Sequence, residues 1–225
     1  MTTAFARARS EEQRDARRAA ILSAADELLR AGTRVGALSL NGLARHVGLA
    51  KSNVLRYFET REAVLLALLD REYGEWLDAL EMALAGADAA PAVEVVADAV
   101  ARTAAQRPVL AELVANSATV LEHNVSAEVA ADYKRSAYAQ SIRLVQLIED
   151  HVGELPHPSR IALAATVNLV VGGAWSMCRP SPGMAEAYEK YPELSAMRLD
   201  YRVSVRELTA AVLTGLLVRP ASDRA

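Results

Sequence analysis

The sequence predicts an all-α protein, and three of its features carry that prediction. Alanine is abundant, and it favours helix because it loses no side-chain entropy when a helix forms. Aromatic residues make up only 5% of the chain, and apolar residues recur at the three- and four-residue spacing of amphipathic helices. Hydrophobic residues amount to 52% and charged residues to 24%, a composition typical of a globular protein and not of a disordered one.

The first sixty residues predict three helices. Helix 1 runs from about residue 11 to residue 30 and ends before Gly32, since glycine commonly follows a helix end. Helix 2 begins after Ser39, whose hydroxyl can accept a hydrogen bond from a free amide of the first turn. Gly48 ends helix 2, and a third helix runs from about residue 50 to 58. Two helices joined by a tight glycine turn form a helix-turn-helix pattern, which is typical of DNA-binding proteins.

The remainder of the chain predicts longer helices separated by glycine and proline. A fourth helix begins after the break at Glu59 and Thr60 and runs from about residue 61 to 84. Later helices are predicted over residues 92–106, 109–123, 127–152, 159–178 and 199–218. The secondary structure of residues 184–198 is ambiguous from the sequence. The pattern divides the chain into a three-helix head, residues 1–60, and a larger helical domain, residues 61–225.

The charge distribution supports a nucleic-acid partner for the head. Residues 1–62 hold 11 Lys and Arg against 7 Asp and Glu, a net charge of +4, whereas residues 63–225 hold 14 against 21, a net charge of −7. The overall charge of −3 hides this asymmetry. A basic head on an acidic body is expected when one domain meets phosphate and the other does not.

Helix 3 has two distinct faces. Its apolar arc, which would pack on helices 1 and 2, consists of Ala50, Val54, Tyr57 and Phe58. The opposite face carries Lys51, Ser52, Asn53, Leu55 and Arg56. Lysine or arginine can donate to guanine, asparagine can pair with adenine, and serine can serve either base or phosphate. The alternative is a solvated helix in an ordinary helical protein.

The run from Leu40 to Leu65 resembles the DNA-binding segment of the TetR family of bacterial transcriptional regulators. The specific part is Tyr57-Phe58 followed by Thr60-Arg61-Glu62-Ala63, and the resemblance covers roughly residues 14–66. It implies an all-α fold, with an N-terminal three-helix DNA-binding head (residues 1–60) and a larger regulatory, ligand-binding and dimerisation domain (residues 61–225).

The resemblance also implies roles for individual residues. Ser39 would offer its hydroxyl to a phosphate; Lys51, Ser52 and Asn53 would reach base edges; Tyr57 and Arg61 would contact the DNA backbone. The chain departs from the family at Leu55, where a phosphate-binding tyrosine is usual, and Arg56 is the residue that could compensate. The arginines of the N-terminal region (Arg7, Arg9, Arg14, Arg17 and Arg18) leave two interpretations open: further backbone contacts, or a solvated helix end.

The resemblance further implies a homodimer in which the last two long helices form a four-helix bundle with those of a partner. The predicted helix 159–178 is apolar on every side and therefore has to be buried on every side. The candidate interface residues are Ile161, Ala165, Asn168, Gly172, Val205, Leu208, Val212 and Leu216. Which face of helix 159–178 meets the partner stays open. A membrane span is the weaker interpretation, because polar residues interrupt the segment and no second span accompanies it.

The sequence evidence for a ligand pocket consists only of scattered polar residues. Polar residues are scattered among apolar ones between residues 116 and 141, as in small-molecule sites, although core packing and plain surface explain any one of them as well. The candidate ligand-binding residues are Asn116, Ser117, Tyr138, Trp175 and Met177. Without an arginine cluster nearby, the composition favours a small, mostly apolar effector.

Nothing in the sequence indicates an enzyme, a metal site or a cofactor. The four histidines share no metal-binding spacing with one another or with the single cysteine, Cys178. The N-terminus lacks the apolar stretch of a signal peptide, so we expect a cytoplasmic protein. The sequence thus predicts a ligand-responsive transcriptional regulator, most simply a repressor that a ligand releases from a palindromic operator. The alternative is a helical small-molecule-binding or enzymatic protein whose head is structural only. The sequence does not distinguish an activator from a repressor.

Overall fold

The computed structural model describes residues 2–86 and 91–218, with side chains from residue 12 onward. Within those ranges the chain forms ten α-helices and no β-strand, so the predicted all-α fold is confirmed. The helices are α1 (Thr2–Arg30), α2 (Leu40–Val47), α3 (Lys51–Val54), α4 (Arg61–Ala85), α5 (Ala92–Ala105), α6 (Pro108–Asn116), α7 (Ala127–Val152), α8 (His157–Met177), α9 (Pro182–Lys190) and α10 (Tyr201–Val218).

These helices belong to two compact units. The first comprises the chain through Arg71 together with Asn116–Lys134, and the second comprises Glu72–Ala115 together with the chain from Arg135 onward. Helix α4 is thus divided between the units after Arg71, and α7 after Lys134. The first unit therefore continues beyond the three-helix head and includes a segment that lies far from it in sequence.

The first unit is built around the head. Helix α1 contributes Ile21 and Ala25, and α2 contributes Leu43, all of them buried. Helix α3 and the turn that follows it, here called the α3 segment (residues 50–58), contribute Val54 and Phe58, which are also buried. Burying such side chains stabilises by roughly 1.5–3 kcal/mol for each of the larger ones, which holds helices too short to be stable alone.

In the second unit, α10 packs against α5 and α8. Trp76 lies in the core and donates its Nε1–H to Thr103 Oγ1 at 2.9 Å, so the indole nitrogen does not remain unsatisfied. Helix α8 approaches α6 closely at Gly172, where a Cβ atom would lie 3.1 Å from the backbone of Ala115. This helix is also long and apolar enough to cross a membrane, a property that core helices of globular proteins share. Its buried residues include Leu163, whose side chain is fully buried.

Several boundaries differ from the sequence prediction. Helix α1 begins at Thr2 instead of residue 11, because no helix breaker separates the alanine- and arginine-rich start of the chain from the rest. The predicted helix 109–123 ends as an α-helix at Asn116 and continues as a π-helical turn, Ser117–Leu121. The ambiguous residues 184–198 fall in α9 and in a 3₁₀ turn, Pro192–Met197.

Candidate nucleic-acid interface

Helix α2 starts at a capped and anchored turn. Ser39 precedes the helix in an extended conformation, and its Oγ accepts a hydrogen bond from the Gly42 amide at 3.1 Å. A 3₁₀ turn, Val35–Ala37, precedes Ser39. Arg61 anchors this turn, because its Nη1 donates to the carbonyls of Gly36 and Leu38 at 3.3 and 3.2 Å. The start of the helix-turn-helix is therefore positioned by a cap and by the first residue of α4.

The turn between α2 and α3 depends on Gly48. This residue has a φ of 73°, in the left-handed region that glycine adopts without steric cost. The next amide, that of Leu49, donates to the Ala44 carbonyl at 2.9 Å, which closes the end of α2. Ala50 then returns to extended geometry and precedes α3.

Helix α3 is shorter than the predicted helix 50–58. Its α-helical part ends at Val54, and the chain continues as a tight turn in which the amides of Arg56 and Tyr57 donate to carbonyls three residues earlier. The Phe58 amide returns to the Val54 carbonyl at 3.1 Å. Helical hydrogen bonds of mixed type therefore continue for one turn beyond Val54.

The outer surface of this segment is polar and cationic. Val54 and Phe58 face the core, whereas the residues on the outer side are exposed: Lys51, Ser52, Asn53, Leu55 and Arg56. Ala50, predicted to be core, is exposed because it lies just before the helix. Tyr57 is half-buried. The arrangement presents two cations and two short polar side chains on rigid backbone, which is a surface that can donate to base edges and phosphates.

Arg18 is a structural residue of this site. Its Nη1 donates to the Tyr57 carbonyl at 2.8 Å, and its guanidinium lies 4.3 Å from the centre of the Phe58 ring. A hydrogen bond and a cation–π contact at once attach the end of the α3 segment to α1. Arg18 therefore has a structural role in the first unit.

Arg61 is also largely occupied within the chain. Besides its two backbone carbonyls, it donates through Nε and Nη2 to Glu62 Oε1, at 3.1 and 2.6 Å. Glu62 is buried, which makes this a charge pair with little access to water. The predicted contact of Arg61 with phosphate remains a prediction, and it would have to coexist with these four bonds.

The C-terminal two thirds of the chain decide the family. Residues 70–220 match the family model described as "Tetracyclin repressor-like, C-terminal domain", which covers more than half of the chain. The chain belongs to the TetR family. It is a TetR-family transcriptional regulator, and this assignment places it among DNA-binding regulators and not among enzymes.

Two solved structures have the same fold. A transcriptional regulator of the TetR/AcrR family from Thermobifida fusca YX-ER1 is 21% identical, with a TM-score of 0.50 over 88% of this chain and 97% of that one. A TetR transcriptional regulator from Rhodococcus sp. RHA1 is 17% identical, with a TM-score of 0.53 over 92% of this chain and 99% of that one. The sequence has no match among curated proteins.

The candidate ligand-binding residues fall in different parts of the chain. Asn116 and Ser117 belong to the first unit, at the end of α6 and the start of the π-helical turn. Tyr138 and Met177, in the second unit, have 70% and 68% of their surface exposed. Trp175 is half-buried there and donates its Nε1–H to Glu112 Oε2 at 2.8 Å. The structure does not gather the five residues at one point within either unit.

Trp175 instead lies in a cluster that the sequence analysis missed. Arg179 covers one face of its ring at 4.7 Å, and Tyr201 meets the ring edge-on at 5.3 Å. Burial raises the pKa of Tyr201, whose hydroxyl is enclosed without a hydrogen-bond partner in the described part of the chain. No sequence signal could have joined α6, α8 and α10 in this way, because the residues are separated by up to ninety positions.

The candidate dimer residues divide by burial. Ile161, Ala165 and Leu208 are exposed, and Asn168 and Val212 are half-exposed. Gly172, Val205 and Leu216 are instead buried inside the second unit, against the chain's own helices, and offer no surface to a partner. The helical wheel gave two candidate faces for α8 and no way to choose between them; packing within the unit uses one of them.

No group of three or more histidine, cysteine, aspartate or glutamate side chains that could hold a metal ion occurs among the described residues. His46, one of the four histidines, pairs with Glu27 at 2.8 Å on the surface, between α2 and α1.

Proposed function

We propose that this protein is a homodimeric, ligand-responsive repressor in the cytoplasm that binds a palindromic operator through the α2–α3 segment. The observation that carries the proposal is the exposed outer side of α3, where Lys51, Ser52 and Asn53 stand together on a backbone fixed by Gly48 and Arg18. Residues 1–60 serve as the DNA-binding domain and residues 61–225 as the regulatory domain.

The operator is tested by selecting bound fragments from randomised duplex DNA. Recovery of an inverted repeat, with half-sites about 34 Å apart or a multiple of this, supports a two-fold dimer that reads successive major grooves. Affinity has to fall steeply as salt rises, since phosphate contacts release counterions. Recovery of no sequence above background, from folded protein, would favour a helical binding protein with a structural head.

The dimer interface is proposed on the exposed apolar sides of α8 and α10. On α8, the exposed residues Ile161, Ala165, Leu169 and Gly173 recur at four-residue spacing. On α10, the exposed residues Leu208, Ala211, Gly215 and Val218 recur at alternating three- and four-residue spacing. Small residues within each stripe allow helices to approach closely, and exposed apolar stripes of this length mark protein–protein contacts.

Leu169, 72% exposed, provides the test of this interface. We expect Leu169→Glu to convert the dimer to a monomer in sedimentation experiments, because it places a charge at the centre of a four-helix bundle. The matched control is Met82→Glu on α4, where the methionine is 77% exposed and lies outside both stripes. Equal dimerisation of both variants would exclude this surface.

Repression is proposed to be lifted by a small, mostly apolar molecule that binds the regulatory domain. The ligand shifts the equilibrium between two dimer shapes by its differential affinity for them. Helix α4, which starts at Arg61 and has residues in both units, is one route by which the shift reaches the head.

A second route lies within the first unit. The carboxylate of Glu59, the residue after Phe58, accepts a hydrogen bond from the Ser126 amide at 2.6 Å, directly before α7. Ser126 belongs to the segment Asn116–Lys134, which also contains the candidate ligand residues Asn116 and Ser117. A ligand that displaces this segment would therefore also displace Glu59, which directly follows the α3 segment.

Both ligand response and route are tested with compounds that raise the melting temperature of the protein in a screen of apolar small molecules. The proposal predicts that such compounds weaken operator binding. It also predicts that Glu59→Ala, which removes the acceptor for the Ser126 amide, reduces this response, while Glu128→Ala, at an exposed carboxylate on α7, does not. Compounds that bind tightly and leave operator affinity unchanged in the wild-type protein would refute ligand-induced release.

A further inference from the structure

A groove lies between α1 and the end of the α3 segment. It has a volume of about 770 Å³ and is lined by Gln13, Arg14, Ala16, Arg17, Ala20, Arg56 and Tyr57. All of these residues belong to the first unit. One wall is the middle of α1, residues 13–20, and the other is the turn that follows Val54.

The lining carries positive charges that no acidic side chain of the lining neutralises. Arg14, Arg17 and Arg56 are exposed, and in the part of the chain whose side chains are described none of them forms an ion pair or hydrogen bond. The lining contains no acidic side chain. Three guanidinium groups that converge on one space and lack carboxylate partners make a site for an anion, and guanidinium donors match the geometry of phosphate oxygens.

The two neutral polar residues of the lining fit the same ligand. The amide of Gln13 and the hydroxyl of Tyr57 can each donate a hydrogen bond to an oxygen. Ala16 and Ala20 face the groove with small side chains and leave room for a bulky ligand. The volume is far larger than a single phosphate ion needs, and it suits a length of sugar–phosphate chain.

The walls are held at a fixed separation by Arg18. Its hydrogen bond to the Tyr57 carbonyl and its contact with the Phe58 ring join α1 to the turn that forms the other wall. A preformed site binds without paying to order its walls. Arg18 thus positions the groove, while Arg14 and Arg17 remain free to meet a ligand.

We propose that this groove grips the phosphodiester backbone of the DNA strand beside the base-reading face of α3. Helix α1 supplies Arg14 and Arg17, the turn supplies Arg56 and Tyr57, and the contact is independent of base sequence. This inference rests on the proposed function, because the ligand is the operator itself. It assigns the cationic part of α1 to binding and recovers the phosphate contacts that Leu55 cannot make.

The test compares Arg14→Gln/Arg17→Gln with a charge-matched control, Lys190→Gln/Arg198→Gln, in the full-length protein. Lys190 and Arg198 are exposed and belong to the second unit. Affinity is measured for a selected operator and for an unrelated duplex over a range of salt concentrations. Thermal unfolding of each variant confirms that it is folded.

The loss of two phosphate contacts reduces the slope of log affinity against log salt by about 1.8. If the variant and the wild type bind equally at 1 M salt, the variant then binds about 60-fold more weakly than the wild type at 0.1 M salt. We expect this loss for both duplexes, so that the preference for the operator is unchanged. The control is expected to bind like the wild type. A double variant that matches the control in affinity and in slope would overturn the inference.

Neutral methylphosphonate linkages, introduced one at a time into the operator, locate the contact. The operator linkages that lie in the groove are those whose neutral form weakens DNA binding by the wild type but not by the Arg14→Gln/Arg17→Gln variant. If no such position exists, the groove does not hold the backbone. Failure of the proposed function looks different: the wild-type protein would then show no salt-dependent binding to any duplex.

Discussion

Substituting Arg61 is expected to destabilise the first unit more than substituting any of the exposed polar residues of α3. Its guanidinium makes four hydrogen bonds, two to the Glu62 carboxylate and two to the carbonyls of Gly36 and Leu38. In Arg61→Ala the carboxylate of Glu62, a residue with only 7% of its surface exposed, loses its ion-pair partner. Breaking a buried pair in this way costs about 3–5 kcal/mol.

The lower end of that range applies here. The side chain of Arg61 retains 25% of its exposed surface, so water can enter and solvate part of the site when the guanidinium is gone. We therefore expect a loss of about 3 kcal/mol, which for a chain of this size lowers the melting temperature by about 6–12 °C. The measurement is thermal unfolding at one fixed protein concentration, because dimerisation makes the melting temperature depend on concentration.

The double variant Arg61→Ala/Glu62→Ala separates the possible causes. Removing the carboxylate as well eliminates the unpaired charge, so this variant should recover part of the stability lost by Arg61→Ala. A melting temperature of Arg61→Ala within about 2 °C of the wild type, combined with a large loss of DNA affinity, would contradict this reasoning. Arg61 would then act mainly as a phosphate ligand, as the family resemblance implies.

Three further predictions concern the turn, the core and the dependence on pH. Gly48→Ala should cost about 1 kcal/mol through backbone strain alone, since a Cβ there meets no heavy atom within 4 Å; Gly183→Ala, equally open but without positive φ, should cost nothing. Trp76→Phe should cost about 2–3 kcal/mol in urea unfolding, because it leaves a cavity and removes the donor to Thr103. Burial raises the pKa of Tyr133 to about 12, so from pH 10 to 12 the unfolded state releases its proton first and stability falls as pH rises; Tyr133→Phe should lessen that fall.

The fold could be predicted to a large extent because its signals are local. The cap at Ser39, the left-handed turn at Gly48 and the spacing of apolar residues in α7 depend on neighbours within one or two turns, and the range 127–152 agrees with the structure at both ends. The family resemblance adds the order of the helices. Local signals failed where a helix changes type, as at Ser117, because the π-helical turn has no distinctive composition.

The site could be predicted only in part, since it depends on contacts between distant residues. Helical spacing placed Lys51 and Arg56 on the outer side of α3, but nothing in the sequence distinguishes Arg18, which stabilises the turn, from Arg17, which lines the groove one position earlier. The same limit applies to α8. Its sequence is apolar on both sides, and only packing against α6 and α10 decides which side remains exposed.

We propose that the outer side of α3 reads the base sequence of an operator. The most direct test is the ratio of affinities for the selected operator and a scrambled duplex of equal length, measured for the wild type and for Lys51→Ala/Asn53→Ala. Each bidentate base contact contributes about 1–3 kcal/mol of discrimination, so we predict that the ratio falls by at least tenfold in the variant while affinity for the scrambled duplex changes far less. An unchanged ratio in a folded variant would contradict the claim and assign base recognition to another surface.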